Sequence, residues 1–382
     1  MPNLVGIGLS QVPTNSMLGG MAYQDPDRVK IKKLSVDEIS QINSEIADTA
    51  VDVFIYDTSK DSDGGAWRKR TTHTSWYNET LGTATRGTRR EFPAVAVIVA
   101  EVEKLTIYDG DDPNLPMWMV FLSPSTTPYS LIPNVSGDIA SITALNGKIT
   151  LGYHTNYGIG IWDFISEFCI NTWRENSRMQ YPGTIAERND QKGSVQLGSP
   201  YIIDYRAKDV AMTVLPNAPI DSATGLPVPT IAVGTNNGVS IIKHDETVID
   251  YTHQNGNYDV TSFIEFLDDD RVVYAWDNDS TPRRLFITPV RAADTATVTA
   301  TSYPIDTNDT VGYGRPTDNK GVGNYHGHLV GHDQSVAAAM NGSMVAVGDG
   351  SDGLNLVDVQ EAGDDTFNSR IAFISKNYNT GW

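Results

Sequence analysis

Short apolar runs, broken by Gly, Asn and Asp, recur along most of this chain. Asp138-Ile-Ala-Ser-Ile-Thr-Ala-Leu runs into Asn146-Gly147, Lys148-Ile-Thr-Leu-Gly152 follows, and then Gly158-Ile-Gly-Ile-Trp-Asp163. The same order returns in Asp209-Val-Ala-Met-Thr-Val-Leu with Thr230-Ile-Ala-Val-Gly234 and Gly238-Val-Ser-Ile-Ile. It returns again from Asp259 through Arg271-Val-Val-Tyr-Ala-Trp276, and from Ser335 through Asn341-Gly342, Gly348 and Gly353-Leu-Asn-Leu-Val-Asp358. A weaker copy starts at Ala94-Val-Ala-Val-Ile-Val. Each copy reads as a strand, a tight turn, a strand ending at Gly, and a further strand. Asn-Gly suits the two-residue hairpin turn, which needs positive φ at both positions. Repeated strand–turn–strand units predict a β-propeller. A β-sandwich with long loops is the alternative, and it does not account for the repeated order. The spacing of the copies leaves room for degenerate units at 172–206 and 297–333. The expectation is an all-β propeller of five to seven blades, seven favoured, over residues 93–382.

The front of the chain has a different pattern. Residues 1–34 have no period, are punctuated by Gly, Pro, Ser and Asn, and read as an extended anchoring arm. Ser35 and Glu38 have capping-box spacing. Ile39, Ile42, Ile46, Thr49 and Val53 then follow a 3-4-3-4 order, which predicts a helix within 35–56. Isoleucine at both stripe positions favours three or four helices over two, so Ile39, Ile42, Ile46 and Val53 are candidate oligomerisation residues of a homotrimer. A single helix packed on its own domain is the other reading. Residues 57–92 are polar and irregular, with Trp67-Arg-Lys-Arg70 and Arg86, Arg89 and Arg90, and read as a linker or collar.

Charge narrows the partners. Of 382 residues, 47 are acidic and 28 basic, a formal net charge of −19, and a field of that sign disfavours nucleic acid and anionic membrane surfaces. No apolar stretch is long enough to span a membrane as a helix, and Met1-Pro-Asn-Leu-Val-Gly-Ile-Gly lacks the features of a signal peptide. The single cysteine, Cys169, lies in an apolar run and reads as a small buried hydrophobe.

Few residues suggest chemistry. His326-Gly-His328 with His332 is a candidate metal site, since alternate histidines on a strand share a face and imidazole suits transition metals; a solvated Gly-rich loop is the plainer reading. Asp57, Asp61 and Asp63 before Gly64 loosely resemble a calcium loop, but Arg68 stands where a bidentate Glu should be. Asp109, Asp111 and Asp112, and the stretch 348–353, read as turn formers. No nucleophile elbow or phosphate loop occurs, and Asp268, Asp269 and Asp270, which could be proposed as glycosidase carboxylates, read more simply as turn residues. The expectation is therefore no enzyme and no cofactor. Trp118, Trp162, Trp173, Tyr274 and Trp276 are expected in the core, unless some stand at a propeller mouth and stack on sugars.

Several stretches resemble a known group. Gln11-Val-Pro-Thr-Asn-Ser-Met-Leu-Gly-Gly-Met-Ala-Tyr23, Val53 to Arg70, Thr74-Ser-Trp-Tyr-Asn78, Arg89-Arg-Glu-Phe-Pro-Ala-Val-Ala96 and Tyr108 to Phe121 are similar to tail-associated proteins of marine bacteriophages, cyanophages among them. The resemblance runs over most of the chain. It implies a virion role as a tail fibre or tip protein, assembled in the host cytoplasm and anchored to other tail proteins (adaptor, nozzle or hub) through residues 1–56. A host-receptor or glycan-binding module is the alternative, and a polysaccharide depolymerase is less favoured. The resemblance supplies no catalytic residue. Such proteins are often longer, and the end at Tyr378-Asn-Thr-Gly-Trp382 reads as a cut within a continuing sequence.

Overall fold

The computed structural model describes residues 49–123, 131–133, 139–154, 157–173, 177–251, 260–267 and 270–278, and after these the segments 281–290, 301–304, 326–327, 336–341, 344–349, 353–358 and 370–375. They form an all-β fold of five successive sheets with the up-and-down blade topology of a β-propeller. The first sheet holds β1 (Ala50–Asp57), β2 (Val95–Glu101), β3 (Lys104–Asp109) and β4 (Met117–Leu122). The second holds β5 (Ile139–Leu145), β6 (Lys148–Tyr153), β7 (Ile159–Asp163), β8 (Cys169–Trp173), β9 (Ser177–Tyr181) and β10 (Val195–Gln196). The third holds β11 (Ala207–Thr213), β12 (Thr230–Thr235), β13 (Gly238–Ile242) and β14 (Val248–Tyr251). The fourth holds β15 (Val260–Phe266), β16 (Arg271–Asn278), β17 (Thr281–Pro289) and β18 (Thr301–Pro304). In the fifth, β19 (His326–Gly327) runs parallel to β20 (Val336–Asn341), and β21 (Met344–Asp349), β22 (Gly353–Asp358) and β23 (Arg370–Ser375) follow antiparallel.

The chain divides into two compact units, residues 1–201 with 214–229, and residues 202–213 with 230–382. The core of the first is aromatic. Phe92 is its hub, with ring centroids 5.8 Å from Tyr56, 5.2 Å from Trp67, 4.9 Å from Trp118 and 5.2 Å from Phe164. Edge-to-face pairs of this kind add to the large apolar area each ring buries. In the second unit, Ala232, Val239, Ile241, Ile249, Tyr251, Ile264, Val272 and Tyr274 form an aliphatic core with two tyrosines. The Asn146-Gly147 turn has φ of 53° and 74°, and joins β5 to β6 as the sequence predicts.

Three expectations are corrected. Residues 50–56 are not the end of a helix: they lie in β1, where Val53 pairs with Val99, and alternation along Val51, Val53 and Ile55 prevails over the helical spacing. The repeat therefore begins at Ala50, not near residue 93. Residues 57–92 are not a spacer, because Trp67, Trp76, Arg86 and Phe92 are all fully buried. Finally, 172–206 is not a hidden blade, since its strands extend the second sheet outward as β8, β9 and β10. Ile39, Ile42 and Ile46, with the remainder of the predicted helix and the arm, lie outside the described residues.

A repeated device joins neighbouring sheets inside each unit. The first strands β1, β5, β11 and β15 all carry a one-residue bulge near their start. Just after the bulge, β1 has Asp52 and β11 has Asp209. Asp52 accepts the N–H of Val53 at 2.8 Å and of Ile142 on β5 at 2.8 Å. Asp209 accepts Val210 N–H at 2.9 Å and Ile264 N–H on β15 at 2.8 Å. The bulge turns the carboxylate toward the neighbouring sheet. The corresponding residues of β5 and β15 are Ser141 and Phe263, so Asp138 and Asp259, which the sequence repeat aligns with Asp209, are not its counterparts. Asp209→Ala is expected to leave the buried Ile264 N–H without its acceptor and cost about 1–3 kcal/mol in denaturant unfolding.

Candidate functional site

The long insert between β1 and β2 holds a network of polar and charged side chains. It departs through a short 3-10 turn, Thr58–Lys60, capped by Asp57, whose side chain accepts Ser59 N–H. Asp61 then turns inward. Its carboxylate accepts Tyr56 O–H at 2.6 Å, Trp67 Nε1–H at 2.6 Å and Asn146 N–H at 2.7 Å. Tyr56 Oη in turn accepts Gly147 N–H at 2.8 Å, so the group holds the Asn146-Gly147 turn from below. Burial raises the Asp61 carboxyl above the usual aspartate range, and burial also raises the Tyr56 phenol well above its own. Every partner of Asp61 donates, which suits the ionised carboxylate.

The second half of the insert closes the open edge of the first sheet. Val120 N–H donates to Thr85 O at 3.0 Å and Gly87 N–H to Trp118 O at 2.9 Å, so residues 83–87 cover β4. Gly87 is required there, because a Cβ would stand 2.0 Å from Met117 O and 3.2 Å from Trp118 Cα. Gly87→Ala is expected to lift the insert off β4 and cost about 3 kcal/mol, read as a lower urea midpoint.

Two buried arginines fasten this segment. Arg86 donates to the carbonyls of Arg89, Trp118 and Arg90, and stacks 4.4 Å from the Trp118 ring centroid. Arg188, from the loop between β9 and β10, donates to Val120 O, Ile185 O and Thr85 O, and meets both carboxylate oxygens of Glu79 at 3.0 and 2.9 Å. Glu79 also stands 3.7 Å from Arg86 Nε. Burial lowers the Arg86 guanidinium to about 10, which leaves it charged at neutral pH. Beside them, the Ser75 hydroxyl and N–H both bind the Glu167 carboxylate, and Ser75 Oγ accepts Ala186 N–H at 3.0 Å.

These groups fix the backbone, and none stands as a free acid, base or nucleophile. The candidate calcium loop is likewise committed: Asp57 caps a turn, Asp61 binds three donors, and Asp63 pairs with Arg70 at 2.9 Å. Asp109 and Asp111 share Arg89, and Asp111 accepts Ala94 and Val95 N–H, as turn residues do. Cys169 is buried, and burial drives its thiol far above the usual range. His326 lies in β19, but its side chain, with His328 and His332, is outside the described residues. Among the described residues no three His, Cys, Asp or Glu side chains gather as a metal site. Trp118, Trp162 and Tyr274 are core residues, as are Trp67 and Trp76; the side chains of Trp173 and Trp276 are outside the described residues.

No family model matches the chain, and no curated protein matches it. Among solved structures, it is similar to the outer coat vertex of COPII on membranes at 13% identity and a TM-score of 0.40, over 70% of this chain and 56% of that one. It is similar to a β-propeller domain from Myceliophteria thermophila at 10% identity and a TM-score of 0.36, over 73% of this chain and 82% of that one. A third is BBS1N in complex with ARL6DN, at 11% identity and a TM-score of 0.37, over 73% of this chain and 64% of that one. The chain spans little more than half of the COPII chain it matches. Among the described residues no helix is long and apolar enough to cross a membrane.

Proposed function

We propose that this chain is a non-enzymatic structural component of a bacteriophage tail, a fibre or tip protein that anchors through residues 1–56 to other tail proteins and presents its β-propeller blades outward as a homotrimer. The observation that carries the reading is the insert, where Asp61, Glu79, Arg86 and Arg188 are all used to fasten backbone to backbone. Such a frame suits a part that must stay rigid under load and does not suit a site that must bind and release. The sequence resemblance of Gln11 to Tyr23, Val53 to Arg70 and Tyr108 to Phe121 to tail-associated proteins supports the setting. Removing residues 1–48 leaves β1 intact, and the truncated protein is expected to fold yet fail to enter particles. Mass spectrometry of purified virions, with light scattering of the full chain, tests the reading. Absence from particles, or a monomer at every concentration, would sink it. Attachment to host glycans is the secondary reading. It gains little from the described tryptophans, since Trp67, Trp76, Trp118 and Trp162 are too buried to stack on a sugar.

A further inference from the structure

Residues 214–229 connect β11 to β12, two strands of the second unit, yet they belong to the first. Thr213 and Thr230, which flank them, are direct partners in the β11–β12 ladder, so a two-residue turn would join these strands. The chain builds a tongue instead. Asp221 N–H donates to Leu226 O at 2.8 Å, Gly225 N–H to Asp221 O at 2.7 Å and Val228 N–H to Pro219 O at 2.9 Å, and Ile220 bridges to Pro227. Pro216, Pro219, Pro227 and Pro229 fix φ along the segment and stiffen it.

Within the first unit the tongue is held by one apolar anchor and two hydrogen bonds. Leu226 is 3% exposed and lies in the aromatic core. Arg70 Nη2 donates to Thr224 O at 3.2 Å, and Asn146 Nδ2 donates to Pro227 O at 3.0 Å. Lys148 Nζ also stands 4.0 Å from Asp221 Oδ2. Asn146 is the residue whose N–H Asp61 accepts, so the tongue rests on the same turn that the insert holds from below. Pairing of β11 with β12 fixes both ends of the tongue before it docks, and its prolines limit the freedom left between them. Little conformational entropy is then lost on docking. If β11 parts from β12, the ends of the tongue separate and that advantage is lost. We propose that residues 214–229 are a latch, which makes the stability of the first unit conditional on the β11–β12 hairpin of the second, so that both unfold in one cooperative transition. Without such a device, two cores of this kind can open as separate cooperative units.

Scanning calorimetry of the full chain tests this. The unaltered protein is expected to melt in a single transition whose calorimetric and van't Hoff enthalpies agree. Two resolved transitions would overturn the proposal. The second arm replaces residues 214–229 with Asn-Gly, which joins Thr213 to Thr230 by a tight turn and keeps the β11–β12 register. The curve is then expected to split, with the transition of the first unit falling by roughly 10 °C and that of the second holding its place. A single transition in this variant would mean that something other than the tongue couples the units, and would overturn the latch. Should the shortened chain not fold, Leu226→Asp decides, since it expels the anchor from the core and leaves the hairpin intact. A van't Hoff enthalpy below the calorimetric one is expected there, and equal enthalpies would count against the proposal.

Discussion

Arg188→Ala is expected to destabilise the first unit by about 3–5 kcal/mol, the range for breaking a buried ion pair from one side. One guanidinium reaches three carbonyls, on β4, in the covering segment and in its own loop, and binds both oxygens of Glu79. Its removal leaves Glu79 facing Arg86 Nε at 3.7 Å, and takes one of its donors from each of the three carbonyls. Lysine cannot substitute, since a single ammonium lacks the planar fork, and Arg188→Lys is expected to recover only a minor part of the loss. Glu79→Gln provides the control. It keeps the shape but leaves two buried arginines without their carboxylate, and Arg86, which burial already depresses, should be the group that suffers. Urea unfolding of the three variants measures this. A loss below about 1 kcal/mol for Arg188→Ala would place the network with exposed pairs of little worth.

How far the sequence foretold this structure depends on the range of the interactions involved. The Asn146-Gly147 hairpin was legible because its signal is local: two adjacent residues that tolerate positive φ between two apolar runs. The blade pattern after residue 93 was legible for the same reason. β1 was misread because Ile39, Ile42 and Ile46 are spaced for a helix, and extending that spacing to Val53 concealed the alternation of Val51, Val53 and Ile55. The insert was misread because Trp67, Trp76 and Phe92 are isolated anchors among polar turns, with no period to betray burial. The pairing of Glu79 with Arg188 spans 109 positions, and that of Asp61 with Asn146 spans 85. Composition shows that such charges exist but not where they meet. One signal was available: Asp61 and Trp67 flank a Gly-Gly turn, a spacing that brings an indole N–H back onto a carboxylate. The Asp52 and Asp209 devices were obscured by a false alignment, since the residues that follow the bulge in β5 and β15 are Ser141 and Phe263, not the Asp138 and Asp259 that start those apparent copies.

Asp61→Ala is expected to cost about 3 kcal/mol, because three buried donors lose one acceptor together and each unsatisfied group costs on the order of 1–3 kcal/mol, offset by release of a desolvated charge. Asp61→Asn separates the two contributions. Its oxygen can still accept from Tyr56 and Trp67, but its amide then faces Asn146 N–H, so about 1–2 kcal/mol is expected. The pH dependence gives an independent sign. Burial raises the folded-state value of Asp61 above its unfolded one, so the folded chain holds this proton more tightly. Its contribution is fully present below the unfolded aspartate value of about 3.9 and is lost as pH rises through the raised folded value, with no further change above it. Against Asp61→Asn, the wild-type protein should therefore lose stability with rising pH across that interval. The opposite slope would mean that the three donors outweigh desolvation and hold the carboxyl below its ordinary value. Asp61 would then be a net anchor of the Asn146-Gly147 turn throughout the neutral range, not a strained one.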